Sequence, residues 1–125
     1  MNSFKISLAQ FSPHTGNISA NVQKMIELAN EAKAQHANII VFPELCTIGY
    51  PAEDLLLRPS LTKRTATAFE QLSAVKDIVM VFGFVNQTES GHRYNSAAVM
   101  KDGQVLGVYN KQNLPIYGVF DEERY

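Results

Sequence analysis

Two ionisable residues of opposite charge each follow a strand-like segment of this 125-residue chain. Glu44 comes after the apolar run Ile39–Phe42 and Pro43, and Lys111 comes shortly after the run Gln104–Tyr109. In open α/β sheets, sites gather beyond the carboxyl ends of strands. A carboxylate there can act as a general base, and an ammonium can stabilise a developing negative charge. If the two strands are neighbours, both side chains face one crevice. On position alone, however, the simpler interpretation is that Glu44 and Lys111 are solvated loop residues.

The segments before Glu44 contain two strand patterns. Residues Phe4–Phe11 alternate between apolar and polar positions, which predicts a strand whose wetter face carries Lys5 and Ser7. The continuous apolar run Ile39–Phe42 suits a strand that is covered on both faces. Pro43 has no amide N–H to donate, so the strand's hydrogen bonding ends there and Glu44 falls in the following loop.

Two helices are predicted by their apolar spacing. From Ile18 to His36 the apolar residues keep to one helical stripe, and Asn17 or Ser19 can cap this helix. A second helix is predicted over Leu61–Ala74, with Ser60 as its cap. Both helices follow a strand, as is usual in layered α/β proteins.

In the rest of the chain, the sequence predicts three more strands and a loop rich in residues that interrupt helices and strands. Residues 45–59 contain one candidate helical turn, Glu53–Leu56, and Ile78–Val85 is a strongly apolar strand. Asn95–Met100 and Gln104–Tyr109 flank Asp102-Gly103, a strong hairpin signal because glycine accepts the positive φ of the tight turn. The order strand, helix, strand, helix, strand, hairpin predicts an α/β fold with helices packed on a mixed sheet.

Short motifs around the two charged residues resemble those of a known superfamily. Residues 42–45 (FPEL) with 49–51 (GYP) resemble the glutamate motif of the nitrilase, or carbon–nitrogen hydrolase, superfamily. Residues 109–111 (YNK) with 114–115 (LP) resemble its lysine motif. The likeness runs along essentially the whole chain in the expected order, so the chain is identified as a member of this superfamily.

Two longer stretches resemble one branch of the superfamily. Residues 49–59 (GYPAEDLLLRP) and 109–125 (YNKQNLPIYGVFDEERY) are similar to the glutaminase domains of glutamine-dependent NAD⁺ synthetases. The resemblance implies a four-layer α-β-β-α sandwich, of which residues 1–125 supply roughly the first half. One face of this half's sheet is then expected to be apolar and uncovered.

The resemblance also implies roles for particular residues. Members of the superfamily use a Glu–Lys–Cys triad, in which Glu44 matches the general base and Lys111 matches the cation that stabilises the oxyanion. Glu122 matches a second glutamate found near the triad. Three aromatic residues match positions that line the glutamine pocket in this branch: Tyr50, Tyr117 and Phe120.

The triad cysteine is expected after the lysine motif, beyond Tyr125, so the chain is expected to be an incomplete glutaminase domain that is inactive alone. Cys46 is the sole cysteine of the sequence and occupies a position that the family does not use as nucleophile. It is expected to pack as a small apolar residue. No cofactor is expected in this segment; ATP, Mg²⁺ and deamido-NAD⁺ would bind a C-terminal synthetase domain that is absent here.

Composition excludes several other classes. With 46% hydrophobic and 18% charged residues, the chain is too apolar for a disordered protein. A net charge of −1 gives no reason to expect nucleic acid, and no apolar run is long enough to cross a bilayer. A single cysteine without a secretory signal favours a cytoplasmic location. The three histidines lack metal-ligand spacing, and no metal site is expected.

The sequence leaves three functional hypotheses. The first is the glutaminase part of a glutamine-dependent NAD⁺ synthetase, with glutamine as substrate and a homo-oligomer expected. The second is a stand-alone nitrilase-type amidase that acts on another small amide. The third is a non-catalytic module that self-associates or binds a partner through its uncovered sheet face.

Overall fold

The computed structural model describes residues 3–49, 60–88 and 90–111. In these ranges the chain forms two helices and one five-stranded sheet, whose strands lie side by side in chain order. β1, β2 and β3 are parallel to one another. β4 is antiparallel to its two neighbours, β3 and β5. The α/β class and the mixed sheet are therefore confirmed. The elements are β1 (Ile6–Leu8), α1 (Ile18–Ala34), β2 (Ile39–Val41), α2 (Leu61–Leu72), β3 (Val79–Gln87), β4 (Arg93–Lys101) and β5 (Gln104–Asn110).

The helix boundaries follow local chemistry only in part. The Asn17 side chain accepts the backbone N–H of Ala20 at 3.1 Å, so Asn17 is the cap of α1. The proposed cap of α2, Ser60, makes no side-chain capping bond because its own backbone is already helical. His36 lies beyond α1 rather than within it: its φ of 65° is left-handed, and such a residue ends a helix.

Both helices pack on one face of the sheet. The ring of Phe69 in α2 meets the rings of Phe82 and Phe84 in β3 edge-on, with centroids 5.2 and 4.9 Å apart. From α1, Val22 and Met25 are fully buried in the same core. The strands contribute to this core the side chains that point toward the helices: Ile40, Met80, Phe82, Phe84, Ala98 and Met100.

The opposite face of the sheet is apolar, and within the described ranges no helix packs on it; its side chains are most exposed in β1. In β1, Ile6 is 55% exposed and Leu8 is 71% exposed. Ser7 is the less exposed residue of this strand and pairs with buried Ile40, so it lies on the helix side. The prediction of a wetter face carrying Ser7 was wrong, because alternation distinguishes two faces but does not say which one another layer covers.

The predicted hairpin is confirmed and joins β4 to β5. Asp102 and Gly103 have φ of 51° and 81°, the pair of positive values that a type I′ turn requires. The Asp102 carboxylate accepts the backbone N–H of Asp77 at 2.8 Å, which ties the turn to the loop before β3. The predicted helical turn Glu53–Leu56 lies outside the described residues. Among the residues described, no helix is long and apolar enough to cross a membrane.

Candidate active site

The loop after β2 turns sharply as soon as it has presented Glu44. Leu45 has a φ of 49°, a left-handed conformation that costs a non-glycine residue about 1–2 kcal/mol. Two bonds hold the turn: the backbone N–H groups of Ile48 and Gly49 donate to the Leu45 carbonyl at 3.2 and 2.8 Å. The Leu45 side chain is buried in the core. Burial and hydrogen bonding thus stabilise a strained residue next to Glu44.

Gly83 of β3 provides the surface on which this loop lies. A Cβ atom built on Gly83 would stand 2.2 Å from the backbone nitrogen of Leu45, so any larger residue would displace the loop. The Gly83 carbonyl accepts hydrogen bonds from the backbone N–H and the hydroxyl of Thr47, at 3.3 and 3.1 Å. The chain between Glu44 and Thr47 is therefore in direct contact with the backbone of the neighbouring strand.

A buried amide connects this loop to the one after β1. Asn21, on the first turns of α1, is buried, and its side-chain N–H groups donate to the carbonyls of His14 and Thr47 at 2.8 and 3.1 Å. Its side-chain oxygen accepts the backbone N–H of His14 at 2.7 Å. All these polar groups are satisfied inside the protein, which makes Asn21 a rigid link between the two loops.

Lys111 is held at the end of β5 by its neighbours on β4. Its backbone N–H donates to the carbonyl of Asn95 at 2.8 Å, which extends the strand pairing by one residue. The preceding residue, Asn110, accepts the hydroxyl of buried Ser96 through its side-chain oxygen at 2.5 Å. These bonds set the position from which the Lys111 side chain extends.

The structure brings the two predicted charged groups into contact. Lys111 Nζ lies 2.6 Å from Glu44 Oε1, and the Asn95 side-chain amide donates to the same oxygen at 2.7 Å. The side chains of Lys111 and Glu44 are 31% and 43% exposed. At that exposure an ion pair adds only about 0–1 kcal/mol to stability. Stability alone is thus a weak explanation for the arrangement.

β2 and β5, the strands that precede Glu44 and Lys111, are not neighbours, so the predicted shared crevice does not arise from adjacent strands. β3 and β4 lie between β2 and β5. The carboxyl ends of β2 and β5 nevertheless lie at the same edge of the sheet, because β5 runs parallel to β2 and β3. The loop carrying Glu44, resting on Gly83, and the long Lys111 side chain close the remaining gap.

Glu44, Asn95 and Lys111 line one open crevice of about 310 Å³. Its floor is formed by the uncovered face of the sheet, through Val81, Gly83 and Ala97, and Tyr109 forms part of its wall. The crevice therefore opens on the side of the sheet that the helices do not cover. It combines an acidic group, a basic group and an amide donor beside an apolar surface, as binding sites for small polar molecules do.

Cys46 lies close to Glu44 in sequence but faces the core. Its Sγ contacts the Met25 sulfur at 3.8 Å and the Gly83 carbonyl at 3.7 Å, and its side chain is fully buried. Burial raises the pKa of the Cys46 thiol to about 12. Because only the thiolate is a competent nucleophile, Cys46 is chemically inert at neutral pH. Its predicted role as a small apolar residue is confirmed.

Four of the predicted site residues lie outside the described residues: Tyr50, Tyr117, Phe120 and Glu122. Conversely, no sequence motif pointed to Asn95, although Asn95 contacts both predicted residues. Asn95 belongs to a predicted strand, and a polar side chain there is explained by the usual alternation of polar and apolar residues along a strand. In residues 3–49, 60–88 and 90–111, no group of three or more His, Cys, Asp or Glu side chains is arranged to hold a metal ion.

Comparison with known proteins gives consistent matches. The family model for carbon–nitrogen hydrolases matches residues 5–125. The chain is 75% identical, over all 125 of its residues, to a glutamine-dependent NAD(+) synthetase of Acinetobacter baylyi, and it covers 23% of that protein. The chain thus spans about a quarter of the length of this relative.

Solved structures share the fold. The glutamine-dependent NAD⁺ synthetase of Acinetobacter baumannii, determined with adenosine diphosphate, superposes with a TM-score of 0.96 at 77% identity; 98% of this chain and 23% of that chain are covered. An amidase from Nesterenkonia sp. superposes with a TM-score of 0.81 at 24% identity, covering 92% of this chain and 44% of that one. At that identity the second match supports the fold alone.

Proposed function

The chain belongs to the carbon–nitrogen hydrolase family, and from this premise we propose that its Glu44–Lys111 crevice is part of an amide-hydrolysing site whose substrate is glutamine. The observation that carries the proposal is the contact of 2.6 Å between Lys111 Nζ and Glu44 Oε1 at the crevice. A base and a cation that share one site can serve both proton transfer and charge stabilisation. The high identity to glutamine-dependent NAD(+) synthetases supports glutamine as the amide.

Glu44 acts as the general base. Its carboxylate takes the proton of a cysteine thiol, and the thiolate attacks the carboxamide carbon of glutamine to form a tetrahedral intermediate. That cysteine lies outside these 125 residues, since Cys46 is buried and protonated. The proton passes to the leaving nitrogen as ammonia departs, and water then hydrolyses the thioester to release glutamate.

Lys111 stabilises the negative charge that develops on the substrate oxygen. Its ammonium is a fixed cation whose backbone is held by Asn95 and whose Nζ is oriented by Glu44. Such preorganised charge lowers the barrier because it requires no rearrangement as the oxyanion forms. Tyr50, Tyr117 and Phe120 line the glutamine pocket in this proposal, and Glu122 supports the site.

In the whole protein, the ammonia amidates deamido-NAD⁺ in a C-terminal synthetase domain. ATP and Mg²⁺ bind that domain, so residues 1–125 are the N-terminal part of the glutaminase domain and carry neither. The proposal places the protein in the cytoplasm as a homo-oligomer. The support for a further domain is the length of the Acinetobacter baylyi NAD(+) synthetase, of which this chain covers 23% at 75% identity.

A second candidate function is favoured by one observation, the exposed apolar face around Ile6 and Leu8. On this reading the 125-residue chain is a non-catalytic module that self-associates through that face. A third candidate, hydrolysis of another small amide, rests on the match of the carbon–nitrogen hydrolase family model to residues 5–125. Replacing glutamine by other small amides in the assay below separates the third candidate from the first.

The test uses a chimera in which these 125 residues replace the matching segment of the Acinetobacter baylyi relative. Glu44→Gln removes the base and should lower glutamine hydrolysis by about 10²–10⁴-fold. NAD⁺ synthesis from free ammonia should be unchanged, since it bypasses the site. The matched control is Glu31→Gln, an exposed change on α1 that should affect neither reaction. Equal loss of both reactions in Glu44→Gln would assign Glu44 a folding role and overturn the proposal.

A further inference from the structure

Asn95 touches both charged residues of the crevice from the strand between them. Its side-chain N–H donates to Glu44 Oε1 at 2.7 Å, and its backbone carbonyl accepts the N–H of Lys111 at 2.8 Å. A carboxylate can only accept hydrogen bonds, so the amide N–H, and not the amide oxygen, must face Glu44. One residue of β4 thereby sets the relative position of the two groups.

The two oxygens of Glu44 have different surroundings. Oε1 accepts hydrogen bonds from both Lys111 Nζ and the Asn95 amide. Within the ranges 3–49, 60–88 and 90–111, no hydrogen bond reaches Oε2. An oxygen that already accepts two bonds, one of them from a cation, is the poorer proton acceptor of the pair. Oε2 is therefore the oxygen suited to take a proton.

A second donor is needed because Lys111 alone does not define the carboxylate plane. An ammonium is a compact charge with three rotatable donors and no preferred plane, so a single bond to it does not fix the plane of the carboxylate that accepts the bond. The Asn95 amide is planar and is carried by a paired strand, where Asn95 lies opposite Val85. With Oε1 held from two directions, the carboxylate has one orientation and Oε2 has one position.

We propose that Asn95 is a positioning residue that holds Glu44 by Oε1 so that Oε2 receives the proton of the nucleophile. This inference rests on the proposed amide-hydrolysing function. It predicts that removing the Asn95 amide impairs proton transfer although both charged groups, Glu44 and Lys111, are retained. A misplaced base is costly, since an error of about 1 Å can lower the rate on the order of 10²-fold.

The experiment uses the same chimera with Asn95→Ala and Asn95→Asp. Asn95→Ala should lower kcat for glutamine hydrolysis by about 10–100-fold with KM changed less than about threefold, and ammonia-dependent synthesis should be retained. Asn95→Asp places a second carboxylate against Glu44, and two carboxylates in contact tend to share a proton. Its rate–pH profile should therefore lose activity on the acidic side, starting at higher pH than in the unsubstituted chimera.

The matched control is Asn38→Asp, at the other end of β2. The Asn38 side-chain oxygen accepts the backbone N–H of Lys5, and an aspartate keeps that acceptor. This variant should leave both kcat and the pH profile unchanged. The other titratable groups among the described residues that line the crevice are Lys111 and Tyr109, and both are retained in every variant.

An unchanged kcat and pH profile in both Asn95 variants would overturn the positioning role while leaving the proposed function intact. A second readout needs no turnover: the ¹³C signal of the Glu44 carboxyl, identified by its loss in Glu44→Gln. In Asn95→Asp this signal should titrate at higher pH than in the unsubstituted chimera. If the chimera hydrolyses no glutamine, the proposed function is wrong. If the Glu44 carboxyl signal has the same pH dependence in Asn95→Asp as in the unsubstituted chimera, the positioning role of Asn95 is wrong whatever the activity.

Discussion

Lys111 Nζ lies 2.6 Å from Glu44 Oε1 although two strands separate the strands that precede them. Three strand spacings correspond to about 14 Å, more than a lysine and a glutamate usually bridge between straight strand ends. The contact exists because the loop after β2 bends onto Gly83 and because Asn95 lies between the two groups. The site thus depends on features of β3 and β4 as well as on the two charged residues.

The charge of Lys111 should matter more than its bulk. Lys111→Met keeps a long flexible side chain but removes the cation, and it should lower kcat for glutamine hydrolysis in the chimera by about 10²–10³-fold. The control Lys63→Met removes a cation from an exposed position on α2 and should have no effect. Steady-state kinetics with glutamine and with ammonia provide the measurement. Full glutamine-dependent activity in Lys111→Met would exclude an oxyanion role.

Gly83→Ala should displace the loop that carries Glu44. The added Cβ would meet Leu45 nitrogen at 2.2 Å, so backbone must move, and about 1–3 kcal/mol of unfolding free energy should be lost. Gly107→Ala on β5 is the matched control, because its Cβ would meet nothing within 4 Å. Urea unfolding of the 125-residue chain, followed by circular dichroism, compares the two. Similar stabilities of both variants would show that the close approach of loop and strand is unimportant.

Asn21→Ala should loosen both loops at once. It leaves the carbonyls of His14 and Thr47 and the N–H of His14 without their partner, which should cost about 1–3 kcal/mol. Asn30→Ala changes an exposed asparagine on the same helix and should be neutral or slightly stabilising, since alanine is the better helix former. The same urea assay measures both. A neutral Asn21→Ala would mean that water replaces the lost amide.

Cys46 should resist alkylation in the folded chain. A pKa of about 12, against an ordinary value of 9.0, reduces the thiolate fraction at neutral pH by about 1000-fold. Iodoacetamide labelling at pH 7, followed by mass spectrometry of the Cys46 peptide, should be at least that much slower than in urea. Rapid labelling of the native protein would contradict the buried position.

The raised pKa of Cys46 also predicts how stability depends on pH. Below pH 9 the Cys46 thiol is protonated in both the folded and the unfolded chain, so it contributes its full stabilisation to the unfolding free energy. Above pH 9.0 the unfolded chain loses the proton first, so this thiol lowers the unfolding free energy by about 1.4 kcal/mol per pH unit until about pH 12. Cys46→Ala should lack this component of the slope in urea unfolding at pH 8 and pH 10.

The uncovered sheet face should make the isolated chain self-associate. Leu8 is 71% exposed on that face, and Leu8→Lys should reduce association because pairing would then bury a charge. Val105→Lys, at an exposed position whose partner Met100 belongs to the helix side, serves as the control. Sedimentation velocity over a range of concentrations is the measurement. If both variants associate like the unsubstituted chain, another surface is responsible.

The sequence by itself determined the local features of this protein. The 3.6-residue spacing after Ile18 predicted α1, the Asp102-Gly103 pair predicted the hairpin, and the placement of Glu44 and Lys111 after strands predicted their edge of the sheet. Each of these depends on residues close together in the chain. Periodicity, turn chemistry and proline's missing donor act over that range, so the pattern alone carries the information.

Only the tertiary structure decided which elements meet. Nothing local could show that β2 and β5 are separated by two strands, that Ser7 faces the helices, or that Gly83 carries the loop of Glu44. Asn95 could not be recognised as a site residue because its importance arises from contacts 51 residues away, with Glu44, and across the hairpin. The physical reason is that strand order, layer coverage and side-chain contact are set by packing between distant segments, and alternation or spacing within one segment is the same whichever neighbours it acquires.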